Sequence, residues 1–130
     1  METTTLESPI AHHEGAEASL LARVFAGVSD PTRLRLLLLL LEGERNVSEL
    51  VAAVGSSQGR VSMHLQCLRW CGFVTSERRG KYVYYRVADG RVRELIALAR
   101  AFAADYHHAL ASCAVLDGES AGGKEDDVCS

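Results

Sequence analysis

"NVSELVAAVGSSQGRVSMHLQCLRWCG", residues 46–72, holds two helical patterns separated by a short Gly-containing break. Asn46 and Glu49 stand in the N-x-x-E spacing of a capping box, opening a helix that carries Val47, Leu50, Val51 and Val54 and stops at Gly55. Ser57 suits the cap of a second helix running from near Gln58 to Cys71, with Gly72 able to take the left-handed closing position. Two short helices joined only by Gly55, Ser56 and Ser57 predict a helix-turn-helix.

On the second helix, Val61, Leu65 and Leu68 fall within about 60° of one another and define its core face. Gln58, Ser62, Gln66 and Arg69 project from one flank, with Arg60 and Met63 elsewhere on the exposed surface. Gln and Arg can make bidentate hydrogen bonds to base edges, and Ser can reach bases or phosphate. Those residues and His64, which lies among them, are the candidates for DNA contact.

Downstream, "FVTSERRGKYVYYRVAD", residues 73–89, alternates β-branched and aromatic residues with polar ones around a basic turn. This predicts a hairpin, a wing, whose Arg78, Arg79 and Lys81 can reach phosphates or a minor groove. Upstream, "SLLARVFAGVSD" from Ser19 has the spacing of an amphipathic helix, and "DPTRLRLLLLLLEG" places a cap at Asp30, Pro31 at the first position and a stop at Gly43. The second of these, nearly all apolar, belongs in the core. After the wing, Asp89 caps a long helix carrying Val92, Leu95, Ile96, Leu98, Ala99, Phe102 and Ala103, expected to run to Leu116.

The expected organisation is therefore a flexible acidic segment over 1–18, a mainly α winged helix-turn-helix domain over 19–116, and a flexible acidic tail over 117–130. The net charge of −3 conceals a strong asymmetry along the chain. Residues 1–20 carry −4 and residues 101–130 carry −5, whereas residues 58–100 carry +6. A basic middle between acidic ends fits a local phosphate-binding surface better than a generally solvated one. No apolar run approaches the ~20 residues of a membrane-spanning helix, and the acidic N-terminus does not look like a secretory signal, so a cytoplasmic location is expected. No nucleophile-base-acid grouping or phosphate loop suggests an enzyme, since "GSSQG" lacks the Lys-Ser/Thr ending.

Four cysteines without a secretory signal are expected to be reduced thiols. Cys67 and Cys71 lie at i and i+4 on one face of the second helix, about 5–6 Å apart at Cβ, a span that one soft metal can bridge and a simple disulfide cannot without distortion. Reduced Cys is also a good small core residue, and spacing alone leaves packing and ligation evenly matched.

"SDPTRLRLLLLL", the S-Q-x-x-V-S-x-H-L segment and "RRGKYVYYRVAD" together resemble the ArsR/SmtB metal-sensing repressors over residues 19–100. The resemblance implies a winged-helix homodimer, joined by its first and last helices, that binds double-stranded palindromic operator DNA and releases it when metal binds. Within that family "HLQCLRWCGF" is similar to the cadmium- and lead-sensing CmtR type. This implies a site of Cys67 and Cys71 completed by Cys113 of the other protomer, with Cd(II) or Pb(II) favoured and Hg(II) or As(III) also suited to three thiolates. His64 or Cys129 could add a fourth ligand for Zn(II). The family's cysteine pair before the turn is absent from Ser48 to Val54. Its Asp-x-His site on the last helix is half present: Asp105 and His107, with His108 beside them, match its start, but Gly118 stands where the later His is expected. A redox or persulfide response of the same thiols is the alternative to metal sensing.

Overall fold

α2, Pro31–Glu42, is the central beam of the fold, and its position follows from its composition. Asp30 Oδ1 accepts the backbone N–H groups of Thr32 at 2.8 Å and Arg33 at 3.1 Å, so the helix starts where the cap and Pro31 predict. Leu36, Leu37 and Leu40 are buried almost completely. This computed structural model describes residues 14–113. His12, His13, Leu116, Cys129 and the tail expected from Asp117 lie outside the described residues.

Around this beam stand α3, Val47–Val54, and α4, Gln58–Trp70. The capping box forms in both directions: Glu49 N–H donates to Asn46 Oδ1 at 2.8 Å, and Asn46 N–H donates to Glu49 Oε1 at 2.9 Å. Gly55 closes α3 at φ +74°, and Gly72 follows α4 at φ +87°, both in the left-handed region where a Cβ is penalised. Leu50, Val54, Val61, Leu65 and Leu68 complete one core with the α2 leucines.

The wing is β2, Val74–Arg79, paired antiparallel with β3, Tyr82–Val87, across the two-residue loop Gly80-Lys81. Gly80 at φ +65° opens that loop, as a tight hairpin turn requires. A third strand, β1, Arg45–Asn46, pairs with β3 through Arg45 and Tyr85, giving the sheet order β1-β3-β2. Sequence periodicity cannot register a two-residue strand. Its effect is considerable, because Asn46 both ends the strand and caps α3, tying the wing to the start of the helix-turn-helix.

Two elements depart from the sequence expectation. α1 spans Glu14–Gly27, beginning five residues before Ser19, so residues 14–18 are helical. The last helix does not run unbroken: α5, Gly90–Asp105, ends at Tyr106, where φ −116° and ψ 30° leave the helical region, and α6, His107–Ala111, follows. α5 sends only Val92 and Ile96 fully into the core. Leu20, Leu21, Phe25, Leu98, Phe102, Tyr106 and Leu110, on α1, α5, the Tyr106 break and α6, are 40–71% exposed. Among the described residues no helix is long and apolar enough to cross a membrane.

Candidate nucleic-acid interface and thiol site

α4 divides its circumference into a buried arc and an open one. Val61, His64, Leu65, Cys67 and Leu68 are buried, while Gln58, Arg60, Met63, Arg69 and Trp70 are exposed and Ser62 and Gln66 half-buried. Arg60 N–H also donates to Ser57 Oγ at 3.2 Å, so the cap holds the end of the helix nearest the exposed Gln58 and Arg60. Arg69 Nη1 donates to Ser76 Oγ at 3.3 Å and braces α4 against β2.

His64 is corrected by this geometry. It is 2% exposed, with Nε2 4.0 Å from Asp30 Oδ1, and cannot contact a groove. The physical reason is angular: at 100° per residue His64 falls between Cys67 and Leu68, on the side that packs against α2.

The basic wing separates in the same way. Arg79 donates to both carboxylate oxygens of Glu44, at 2.9 and 2.6 Å, donates to Glu77 at 2.8 Å, and lies over the Tyr84 ring at 4.6 Å. These hydrogen bonds, first that of Glu44 and then that of Glu77, push the Arg79 guanidinium above its ordinary pKa; the reciprocal bond from Arg79 holds Glu44 below its own. Arg79 therefore anchors the wing to the α2–β1 connection, and its charge is largely matched within the fold. Arg78 and Lys81 remain exposed near the tip, Lys81 5.5 Å from the centroid of Tyr82.

The two α4 cysteines have different surroundings. Cys67 is buried and, against the expectation of four reduced thiols, disulfide-bonded in this structure; its Sγ accepts from Arg33 Nη1 at 3.2 Å, so its stripe belongs to the α2 interface and is not separate from the core as helical angles alone suggest. Cys71 is an exposed free thiol at the C-cap. Its sulfur nevertheless lies against the end of α1, where a Cβ added at Gly27 would come within 3.0 Å of Cys71 Sγ and 3.2 Å of the Phe73 ring. Both sulfurs thus touch the corner between α1 and α2. Sequence gave little warning of Arg33 or Gly27: an arginine beside leucines reads as a solvent charge, and a glycine ending a helix reads as a stop.

Cys113 is a half-exposed free thiol just past α6. Asp105, His107 and His108 are exposed around the Tyr106 break, with the two imidazole rings 5.5 Å apart. Among the described residues of one chain, no three His, Cys, Asp or Glu side chains converge on a metal position. With Cys67 reduced, the donor set suits a soft ion: two cysteines one helical turn apart, with a third in a segment whose apolar neighbours are uncovered.

Residues 30–76 match the family described as "Bacterial regulatory protein, arsR family". The chain is 46% identical over 115 residues to the "Probable mercury resistance operon repressor" of Streptomyces lividans, covering 88% of each. It is 42% identical over 74 residues to the transcriptional regulator CmtR of Mycobacterium tuberculosis, covering 57% of this chain and 63% of that one. Among solved structures, it is similar to the homodimeric winged helix-turn-helix DNA-binding domain of a possible ArsR-family regulator from Mycobacterium bovis. The TM-score is 0.66 at 36% identity, over 73% of this chain and 87% of that one.

Proposed function

The chain belongs to the ArsR family of bacterial regulatory proteins, and from that premise we propose that it is a homodimeric transcriptional repressor that holds operator DNA in its metal-free state and releases it to a thiophilic ion. The family is regulatory and not enzymatic. The observation that carries the proposal is the double use of α4. One helix bears the exposed side chains Gln58, Arg60 and Met63 and the half-buried Gln66, which would face DNA, and also Cys67 and Cys71, whose sulfurs lie against Arg33 and Gly27 at the α1–α2 corner.

The exposed apolar side chains of α1 and α5 support pairing of two copies, which sets two α4 helices against two half-sites of a palindrome. Arg78 and Lys81 supply backbone contacts from the wing. Cys67 and Cys71, with Cys113 from the other protomer, would hold the ion; when bound, it supplies metal–thiolate bonds that join the reading helix of one chain to the C-terminal part of its partner. Ligation requires Cys67 in its reduced form, and Arg33 then provides a positive charge beside a sulfur that must be anionic to bind the ion. Because Gly27 ends a helix with an uncovered apolar face, a change at Cys71 is felt where the dimer forms. Couplings of this kind are typically 1–3 kcal/mol, weakening DNA binding by about 5 to 150-fold. Hg(II) heads the proposed series, since the repressor matched over 88% of this chain is named for mercury resistance, and Cd(II), Pb(II) and As(III) suit the same thiolates.

The test is an anaerobic titration of reduced protein with each ion and with Zn(II), following operator anisotropy and the fluorescence of Trp70, the single tryptophan, which adjoins Cys71. Wild type releases DNA, whereas Cys67→Ser and Cys71→Ser bind DNA and do not respond. If both variants still let go at wild-type metal concentrations, the site is elsewhere. Release by a peroxide or persulfide donor but by no metal would convert the proposal to thiol-redox sensing.

A further inference from the structure

The open arc of α4 contains an apolar feature that hydrogen-bonding readout does not explain. Gly59, Met63, Gln66 and Trp70 follow one another in steps of four, three and four residues and form the stripe farthest from the buried arc. Met63 is 51% exposed and Trp70 67%, on a helix without a single acidic residue. Exposed bases accompany it, Arg60 on the helix and Arg78 and Lys81 on the wing. Two exposed apolar side chains, Met63 and Trp70, accompanied by positive charge match DNA, which is anionic at its edges and carries only one apolar group in the major groove, the C5-methyl of thymine.

We propose that Met63 is a specificity-determining residue that reads a thymine methyl near the centre of each half-site. The inference rests on the DNA-binding reading above and goes beyond it by naming a base. Met63 lies in the first half of the helix, five residues after the position of Gln58, whereas Trp70 lies about 10 Å farther along the axis, toward the end that leaves the groove. Arg60 and Gln66 stand three residues to either side, so polar contacts to neighbouring bases or phosphates fix the register while the thioether fills the space over the methyl. Gly59, with no atom within 4 Å of a built Cβ, leaves open space beside Met63 for the close approach of a base pair.

The experiment uses the full-length, reduced, metal-free protein and the duplex it selects from a randomised palindromic library. Each thymine is replaced in both half-sites by deoxyuridine, which removes only the methyl, and affinity is followed by anisotropy. One symmetric position should weaken wild-type binding by about fourfold per half-site, the worth of one buried methyl. Met63→Ser, a change at an exposed position, should bind the parent duplex more weakly and be indifferent to uracil at that position alone, with its salt dependence unaltered. If every uracil effect persists undiminished in Met63→Ser, Met63 reads no methyl and the proposal falls while DNA binding stands. A protein that selects no duplex overturns this inference together with the reading beneath it.

Discussion

α2, built on leucine, and α5, built on alanine with Val92, Leu95, Ile96, Leu98 and Phe102, are both largely apolar, yet the fold treats them in opposite ways. In α2, Leu36, Leu37 and Leu40 are sealed by α3, α4 and the wing root. In α5, Leu98 is 71% exposed and Phe102 58%, and α1 likewise leaves Phe25 in solvent. One helix is finished by its own chain, and the other leaves an apolar face that a second copy would cover in the proposed homodimer. The difference teaches that the winged core can be intact before association, while the outer helices hold the information about the partner.

The largest expected effect lies on the finished side. Leu65→Ala, at the fully buried centre of α4, should cost about 2–5 kcal/mol in urea unfolding, because the removed atoms leave a cavity among α2 and α3 side chains. Phe102→Glu should do something different. Light scattering should report a monomer and operator affinity should fall by at least about tenfold, since half of the paired contacts to a palindrome are lost, while α-helical CD of the core stays close to wild type. A Phe102→Glu chain that unfolds as readily as Leu65→Ala would erase the contrast between the two helices.

Smaller effects sharpen the comparison. Asn46→Ala should lower stability by about 0.5–2 kcal/mol through loss of the α3 cap, and should also loosen the wing, because the same residue ends β1. The measurement is urea unfolding beside amide exchange at Tyr84 and Tyr85. The slightest change is expected from acid. The Arg91 side chain, and then its backbone N–H, hold Asp89 down from 3.8 to about 2. A carboxylate so depressed stabilises the fold above about pH 4, and that contribution is lost as pH falls through about 2. CD at 222 nm should show Asp89→Ala converging with wild type over that window, the two differing above it.

The residues whose environments are local were legible in advance. Asn46 with Glu49, Asp30 with Pro31, Ser57, Gly55 and Gly72 each act within a few positions, so their caps and turns appear where the sequence puts them. That Met63 is exposed while Leu65 and Leu68 are buried was legible to the same extent, since a helical angle separates them. His64 was misplaced because that angle does not say how wide the buried arc is; α2 and the α1–α2 corner widen it to include both His64 and Cys67. In the sequence Arg79 reads as a free charge because Glu44, its bidentate partner, is 35 residues away.

From its sequence alone this protein determined its helices, their caps, its hairpin and its family, because these depend on periodicity and on hydrogen bonds between near neighbours. Only the tertiary structure decided that Arg33 meets Cys67, that Gly27 lies against Cys71, that Arg79 anchors the wing and that α1 and α5 keep an apolar face uncovered. Those outcomes depend on which distant surfaces pack together, and burial and charge pairing are properties of that packing and not of any one segment.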